Sequence, residues 1–166
     1  MRVLGIDPGP TTHGAVLYDT VERRVVWSDK AATQDQVEAV ALEHDWQTFR
    51  IVIERPAAMG AIGSGVVGHM LDTAWSAGAM SEALLLHGFI VQEMTRREVL
   101  RHLGVLSGKG AADSRVRAAC IADHEVPGGM PAVGRKGSPG PLYGVSSHAW
   151  QALGLVLAFL NKGNEP

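Results

Sequence analysis

Apolar positions fall into two kinds of run along this chain: short runs that end in an acid, and longer stretches with helical spacing. Residues 2–7 place Val3, Leu4 and Ile6 in a buried-strand pattern that Asp7 closes, and Asp7-Pro8-Gly9-Pro10 is a turn signal. Residues 14–18 and 24–28 predict two further strands, and the short turns between the three predict an antiparallel meander. Residues 33–47 have helical spacing, with Val37, Val40, Ala41 and Trp46 inward. Residues 50–54 form another short buried run ended by an acid, Glu54. Because that run follows a helix, it is expected to lie parallel to the first strand.

Gly60, Gly63, Gly65 and Gly68 make a glycine-rich stretch, and a long helix is predicted over 66–87. Its small residues Ala74, Gly78 and Ala79 allow close packing. They are read as serving the core, with a dimer partner as the other reading. Residues 89–93 predict a fifth strand. Thr95 is placed as the N-cap of the next helix, with Glu98 at the capping-box position. Gly108-Lys109-Gly110 is a loop, and Asp113 is expected to cap a helix that ends near His124. Residues 127–144 contain four prolines and six glycines and read as one long loop, a length associated with function or mobility. Ser146 or Ser147 is expected to cap a final helix over 149–160. No repeat or boundary interrupts this order. The expectation is a single α/β domain over 1–166, with a five-stranded mixed sheet flanked by helices.

Composition narrows the class. With 166 residues and 46% hydrophobic content, the chain can bury a real core and is not expected to be disordered. The single cysteine, Cys120, excludes an internal disulfide and a cysteine-based zinc site, and reads as a small buried hydrophobe. Met1 runs directly into a strand pattern, so no signal peptide is expected. The apolar stretch 149–160 is too short to span a membrane, so a cytoplasmic location is expected. The net charge of −2 argues weakly against a nucleic-acid partner, but its distribution changes the picture. Residues 96–136 hold eight basic against four acidic residues, while residues 1–55 hold six against nine. A basic segment in an acidic chain can still face a phosphate backbone, making Arg96, Arg97, Arg115, Arg135 and Lys136 candidate contacts. From charge alone, ordinary surface variation is the favoured reading of that pattern.

Alternation puts Asp7 on the face of Val3 and Gly5, and Glu54 on the face of Val52. If the two strands are parallel neighbours, both acids lie at adjacent carboxyl ends, where open α/β sheets place their sites. Carboxylates forced together repel, and burial adds to the cost; a divalent cation relieves both, with hard oxygen ligands suiting Mg2+ or Mn2+. In the last helix His148, Gln151, Ala152 and Leu155 share one face, so His148 and Gln151 can point from its first turn toward the acids. Two metals about 3.5–4 Å apart would activate water and stabilise the leaving oxygen in phosphodiester cleavage. Each residue alone has a plainer role: Asp7 in a turn, Glu54 paired with Arg50 or Arg55, His148 in packing. The combination is more specific than its parts.

These residues carry a resemblance to the RuvC family of Holliday junction resolvases, of phage type or divergent. Gly5-Ile6-Asp7-Pro8-Gly9 resembles the family's first strand and first catalytic Asp, and Ile51-Val52-Ile53-Glu54 its second motif. Thr95-Arg96-Arg97-Glu98-Val99 and Ser107-Gly108-Lys109-Gly110-Ala111-Ala112-Asp113 resemble the stretch before the next helix. Ser147-His148-Ala149-Trp150-Gln151-Ala152-Leu153 resembles the closing motif. The resemblance implies an RNase H-like fold, a homodimer with two active sites, and Mg2+-dependent paired nicks across a four-way DNA junction. It also implies that Asp7 and Glu54 bind metal, that His148 takes the third position, and that Lys109 lies close to DNA. The family's last acid is neutral Gln151 here, which puts tight binding of one metal in doubt. The stretch after the second motif, Pro56-Ala57-Ala58-Met59-Gly60, lacks an aromatic wedge. Met59 is a candidate for insertion between bases, with a plain loop leading to a helix as the equal alternative.

Three rival readings follow. An inactive junction binder on the same fold is suggested by Gln151. A flap or single-strand nuclease would use the same metals. A sugar-kinase or actin-like phosphate binder would need two copies of the domain, which this length does not supply.

Overall fold

The computed structural model describes residues 1–45, 47–56, 64–125 and 129–163. Five strands, β1 (Arg2–Asp7), β2 (His13–Asp19), β3 (Arg24–Ala32), β4 (Phe49–Arg55) and β5 (Val91–Thr95), form one sheet in the order β3-β2-β1-β4-β5. The first three make an antiparallel meander, and β4 lies parallel to both β1 and β5. The sheet is therefore mixed, as the strand patterns predict.

The period-two alternation separates two cores. Leu4, Ile6, Leu17, Ile51 and Ile53 pack on one face with α1 (Gln34–Leu42) and α2 (Ser64–Leu86). Val3, Val16, Tyr18, Val52 and Met94 pack on the other with α3 (Arg96–His102), α4 (Ala112–His124) and α5 (Ala149–Lys162). Ala149 to Ala158 of α5 are buried without a break, so this helix is enclosed by the sheet, α3 and α4. Gly5 permits the contact: a Cβ there would collide with the Ala152 carbonyl oxygen and come within 2.6 Å of Val156 Cγ2. Cys120 is buried in the same core. Beside it, His124 Nδ1 lies 2.9 Å from the Cys120 carbonyl oxygen, which only an N–H can satisfy. His124 Nε2 therefore accepts from the Tyr18 hydroxyl at 2.8 Å.

Several boundaries differ from the sequence expectation, each for a local reason. The first helix ends at Leu42 rather than Gln47, and the Asp45 carboxylate accepts from the Gln47 N–H in a side-chain turn. Its N-cap is Thr33, in a capping box with Gln36. Trp46 lies outside the described residues. The fifth strand begins two residues later than predicted because Phe89 completes the end of α2. Its N–H donates to the Leu84 carbonyl while Gly88 adopts φ 84°, a Schellman closure. Thr95 and Glu98 form the expected capping box. Asp113 does not cap α4; Ala111 holds that position without a side-chain bond, and Asp113 sits inside the first turn.

Neither Ser146 nor Ser147 caps α5. His148 occupies the N-cap position, and the serine carbonyls accept from Ala149 and Trp150 in a tight turn, with Ser147 at φ 47°. The proline- and glycine-rich stretch holds a short hairpin of β6 (Gly134–Arg135) and β7 (Ser138–Pro139). Ala132 and Leu142 anchor it in the core, and the Pro141 carbonyl accepts from Val25 in β3. On α2, Ala77, Met80 and Leu84 face the core, whereas Ala74 and Gly78 are exposed and Ala79 is half-buried, so most of the small-residue stripe does not serve it.

Candidate active site

The β1–β4 register, with Ile6 opposite Ile53, brings Asp7 and Glu54 to the carboxyl ends of neighbouring parallel strands. Each continues the alternation of Val3 or Val52, so both acids rise from the sheet face that α5 covers. They line one cleft together with His148, Gln151, Arg96, Asp113 and the Pro8–Thr12 turn. The two acids are thus adjacent, and α5 opens directly above them.

Burial dominates their electrostatics. It pushes Asp7 up to about 7, against the opposing pull of Arg96 and with a further push from Asp113. Glu54 also rises to about 7, again chiefly from burial, with Arg96 opposing and Asp7 adding repulsion. Burial thus disfavours the charged form of both acids by more than Arg96 favours it.

His148 Nδ1 stands 3.4 Å from Asp7 Oδ2, with the histidine side chain 71% exposed at the mouth. Gln151, one turn further along α5, is buried, and its Oε1 has no hydrogen-bond partner. A buried amide oxygen without a donor is costly, and a cation or ordered water in the cleft would satisfy it. Hard oxygens from Asp7, Glu54 and Gln151 fit the chemistry of Mg2+ or Mn2+. Among the described residues, however, no group of three or more His, Cys, Asp and Glu side chains is gathered as a metal cage.

Arg96 stands among these acids. Its Nη1 lies 3.4 Å from Glu54 Oε2, and its Nη2 forms an ion pair with Asp113 Oδ1. The chain thus places this arginine inside the acid cluster rather than on an open basic surface. Arg96 is thus a partner of Glu54, while Arg55 lies near Glu93. The Arg96–Asp113 contact was not read from the sequence. The signal available was two arginines directly after an N-cap, where the helix dipole disfavours cations.

With this geometry in place, comparison with solved structures decides the architecture. The chain superposes on Thermus thermophilus RuvC in complex with a Holliday junction substrate with a TM-score of 0.60, at 20% identity, covering 99% of this chain and 95% of that one. A second Thermus thermophilus RuvC structure gives a TM-score of 0.58 at 19% identity, covering 98% and 95%. The fold is that of RuvC. At the sequence level no protein-family model and no curated protein matches the chain.

The remaining candidates are spread around this RuvC-like frame. Lys109 and Arg97 are exposed and do not line the cleft. Arg115 is half-buried and donates through Nη1 to the Gly108 and Gly110 carbonyls at 2.7 and 3.4 Å, holding the loop that carries Lys109. Arg135 and Lys136 lie on the hairpin docked against β3, also apart from the cleft lining. Met59 lies outside the described residues. Lys30, His69 and Thr73 line the cleft but were not among the sequence candidates. No helix among the described residues is long and apolar enough to cross a membrane.

Proposed function

We propose that this chain is a divalent-metal-dependent endodeoxyribonuclease that nicks branched DNA, with a four-way junction as substrate. The observation that carries the reading is the pairing of Asp7 and Glu54 at adjacent strand ends, beneath the first turn of α5. Two buried carboxyls whose burial holds them protonated up to about pH 7 suit a site completed by a cation. Asp7 and Glu54 would hold Mg2+ or Mn2+, with His148 as the third protein ligand and the Gln151 amide oxygen as a neutral addition. Such ions, two per site in the full arrangement, supply charge stabilisation for in-line attack on a phosphodiester and generate its nucleophile.

The chain's own groups have separable tasks in this reading. Asp7 and Glu54 provide the negative charge that concentrates the cation. His148, exposed at the mouth with its Nδ1 3.4 Å from Asp7 Oδ2, would complete the ligand set from the solvent side. Lys109, on the loop held by Arg115, would contact the phosphate backbone.

Paired nicking calls for two sites, and we propose a homodimer. Support comes from α2, where Leu71 and Trp75 are 64% and 82% exposed at i, i+4 spacing beside the outward small residues Ala74 and Gly78. An exposed apolar stripe of that kind marks an interaction surface.

A second reading, a junction-binding protein with weak or no cleavage, is favoured by two specific features. Gln151 adds no charge, and Arg96 already stands among the acids. A cleavage assay comparing four-way, flap, bubble and linear DNA with Mg2+ and Mn2+ separates the readings. Paired nicks confined to the four-way junction support the resolvase. Binding without nicks supports the alternative, and preference for a flap would replace the substrate.

A further inference from the structure

Arg96 is the first residue of α3, where the unpaired N–H groups disfavour a cation. Its side chain is nevertheless only 16% exposed and is held between two carboxylates from different elements. Glu54, on β4, is almost equally enclosed at 15%, whereas the Asp113 side chain on α4 is 72% exposed. The guanidinium therefore has an inner anchor in a low-dielectric setting and an outer anchor in water. A planar, two-pronged cation suits that bridging position.

We propose that Arg96 is a resident counter-ion of the cleft: it occupies Glu54 in the metal-free protein, and a divalent cation gains that carboxylate by displacing the guanidinium outward toward Asp113. The inference rests on the reading of the cleft as a metal site. Glu54 Oε2 cannot serve both partners fully, since a divalent ion on that oxygen would face a guanidinium nitrogen 3.4 Å from the same atom. The exposed Asp113 offers the displaced charge an anchor at the rim, so exchange requires a side-chain swing rather than unfolding. Arg96 is a positioning residue in this scheme and sets how much free cation the site needs before it fills.

The test measures binding rather than cleavage. Mn2+ titrated calorimetrically into wild type and Arg96→Gln in the absence of DNA should bind the variant about tenfold tighter or more. In EDTA the variant should melt below wild type, and Mn2+ should raise its melting temperature by more. Equal or weaker binding by the variant, with wild type binding measurably, overturns the exchange and leaves the metal site standing. No binding by wild type overturns the metal reading itself and this inference with it. Should Arg96→Gln fail to fold, guanidinium nitrogen resonances of wild type decide the question. The Arg96 signal should shift on adding Mg2+, and an unmoved signal while Mg2+ binds overturns the proposal.

Discussion

Gly14 lies against the backbone of His148 so closely that a Cβ on the glycine would stand 2.6 Å from the histidine's carbonyl carbon and oxygen, and 2.8 Å from its Cβ. The second residue of β2 therefore sets how near the start of α5 can approach the acids. Gly14→Ala must push that turn outward, at an expected cost of about 1–3 kcal/mol in stability. It should also widen the His148–Asp7 separation and slow cleavage more than it weakens junction binding. Denaturant melts and single-turnover rates measure the two effects. A variant with both values unchanged would show that this contact does not position the helix.

Asp7→Asn removes one unit of charge and almost no volume. Cleavage should fall by about a hundredfold or more, while four-way-junction affinity in the absence of metal stays close to wild type. Cutting that persists at the wild-type rate would end the assignment of Asp7 as a metal ligand.

The raised carboxyls also have a signature in stability. Asp7 and Glu54 titrate near 7 in the folded chain, against ordinary values of 3.8 and 4.5. Between those limits the folded state holds more protons than the unfolded one, so the contribution of these groups to stability falls as pH rises. Below about pH 4 both states are protonated and the effect vanishes; above about pH 7 the penalty is complete. In EDTA, Asp7→Asn should therefore gain stability relative to wild type as pH is raised from 5 to 8. Parallel stability curves for the two proteins would contradict the burial argument.

Lys109 and Arg115 should separate in their effects. Lys109→Ala is expected to lower the slope of log binding constant against log salt by about one phosphate contact, with little change in melting temperature. Arg115→Ala releases the Gly108 and Gly110 carbonyls and should loosen the loop, raising protease cleavage near residues 107–110. A salt slope that does not move in Lys109→Ala would leave that side chain as solvated surface.

Trp75→Glu places a charge in the exposed stripe of α2. If that surface joins two copies, sedimentation should show monomers where wild type shows dimers, with paired nicking lost before single nicks. A wild type that sediments as a monomer across the working concentration range would remove the dimer from the proposal.

Much of this frame was legible because its signals are local and periodic. Alternation in residues 2–7 and 50–54 sets which face each strand buries, and with it the side of the sheet from which Asp7 and Glu54 rise. The Thr95–Glu98 box was readable because cap and partner lie three residues apart. What escaped depends on tertiary closure. Arg96 meets Asp113 only because α3 and α4 converge over the sheet, and Phe89 leaves the strand pattern because it closes α2. The hairpin at residues 134–139 has two residues per strand, too few to alternate. Chain spacing placed His148 and Gln151 on one helical face but did not show that one would be exposed and the other buried.

The enclosure of α5 from Ala149 to Ala158 divides the freedom to vary along that helix. Its shaft is locked by contact on every side, so few replacements there would preserve the shape of the molecule. His148, at the mouth, stands outside that locked stretch, whereas Gln151 lies within it and lines the cleft. In the proposed reading, position 148 is thus an adjustable dial at the tip of a rigid rod. A small library confined to position 148 would vary the proposed metal site without redesigning the architecture.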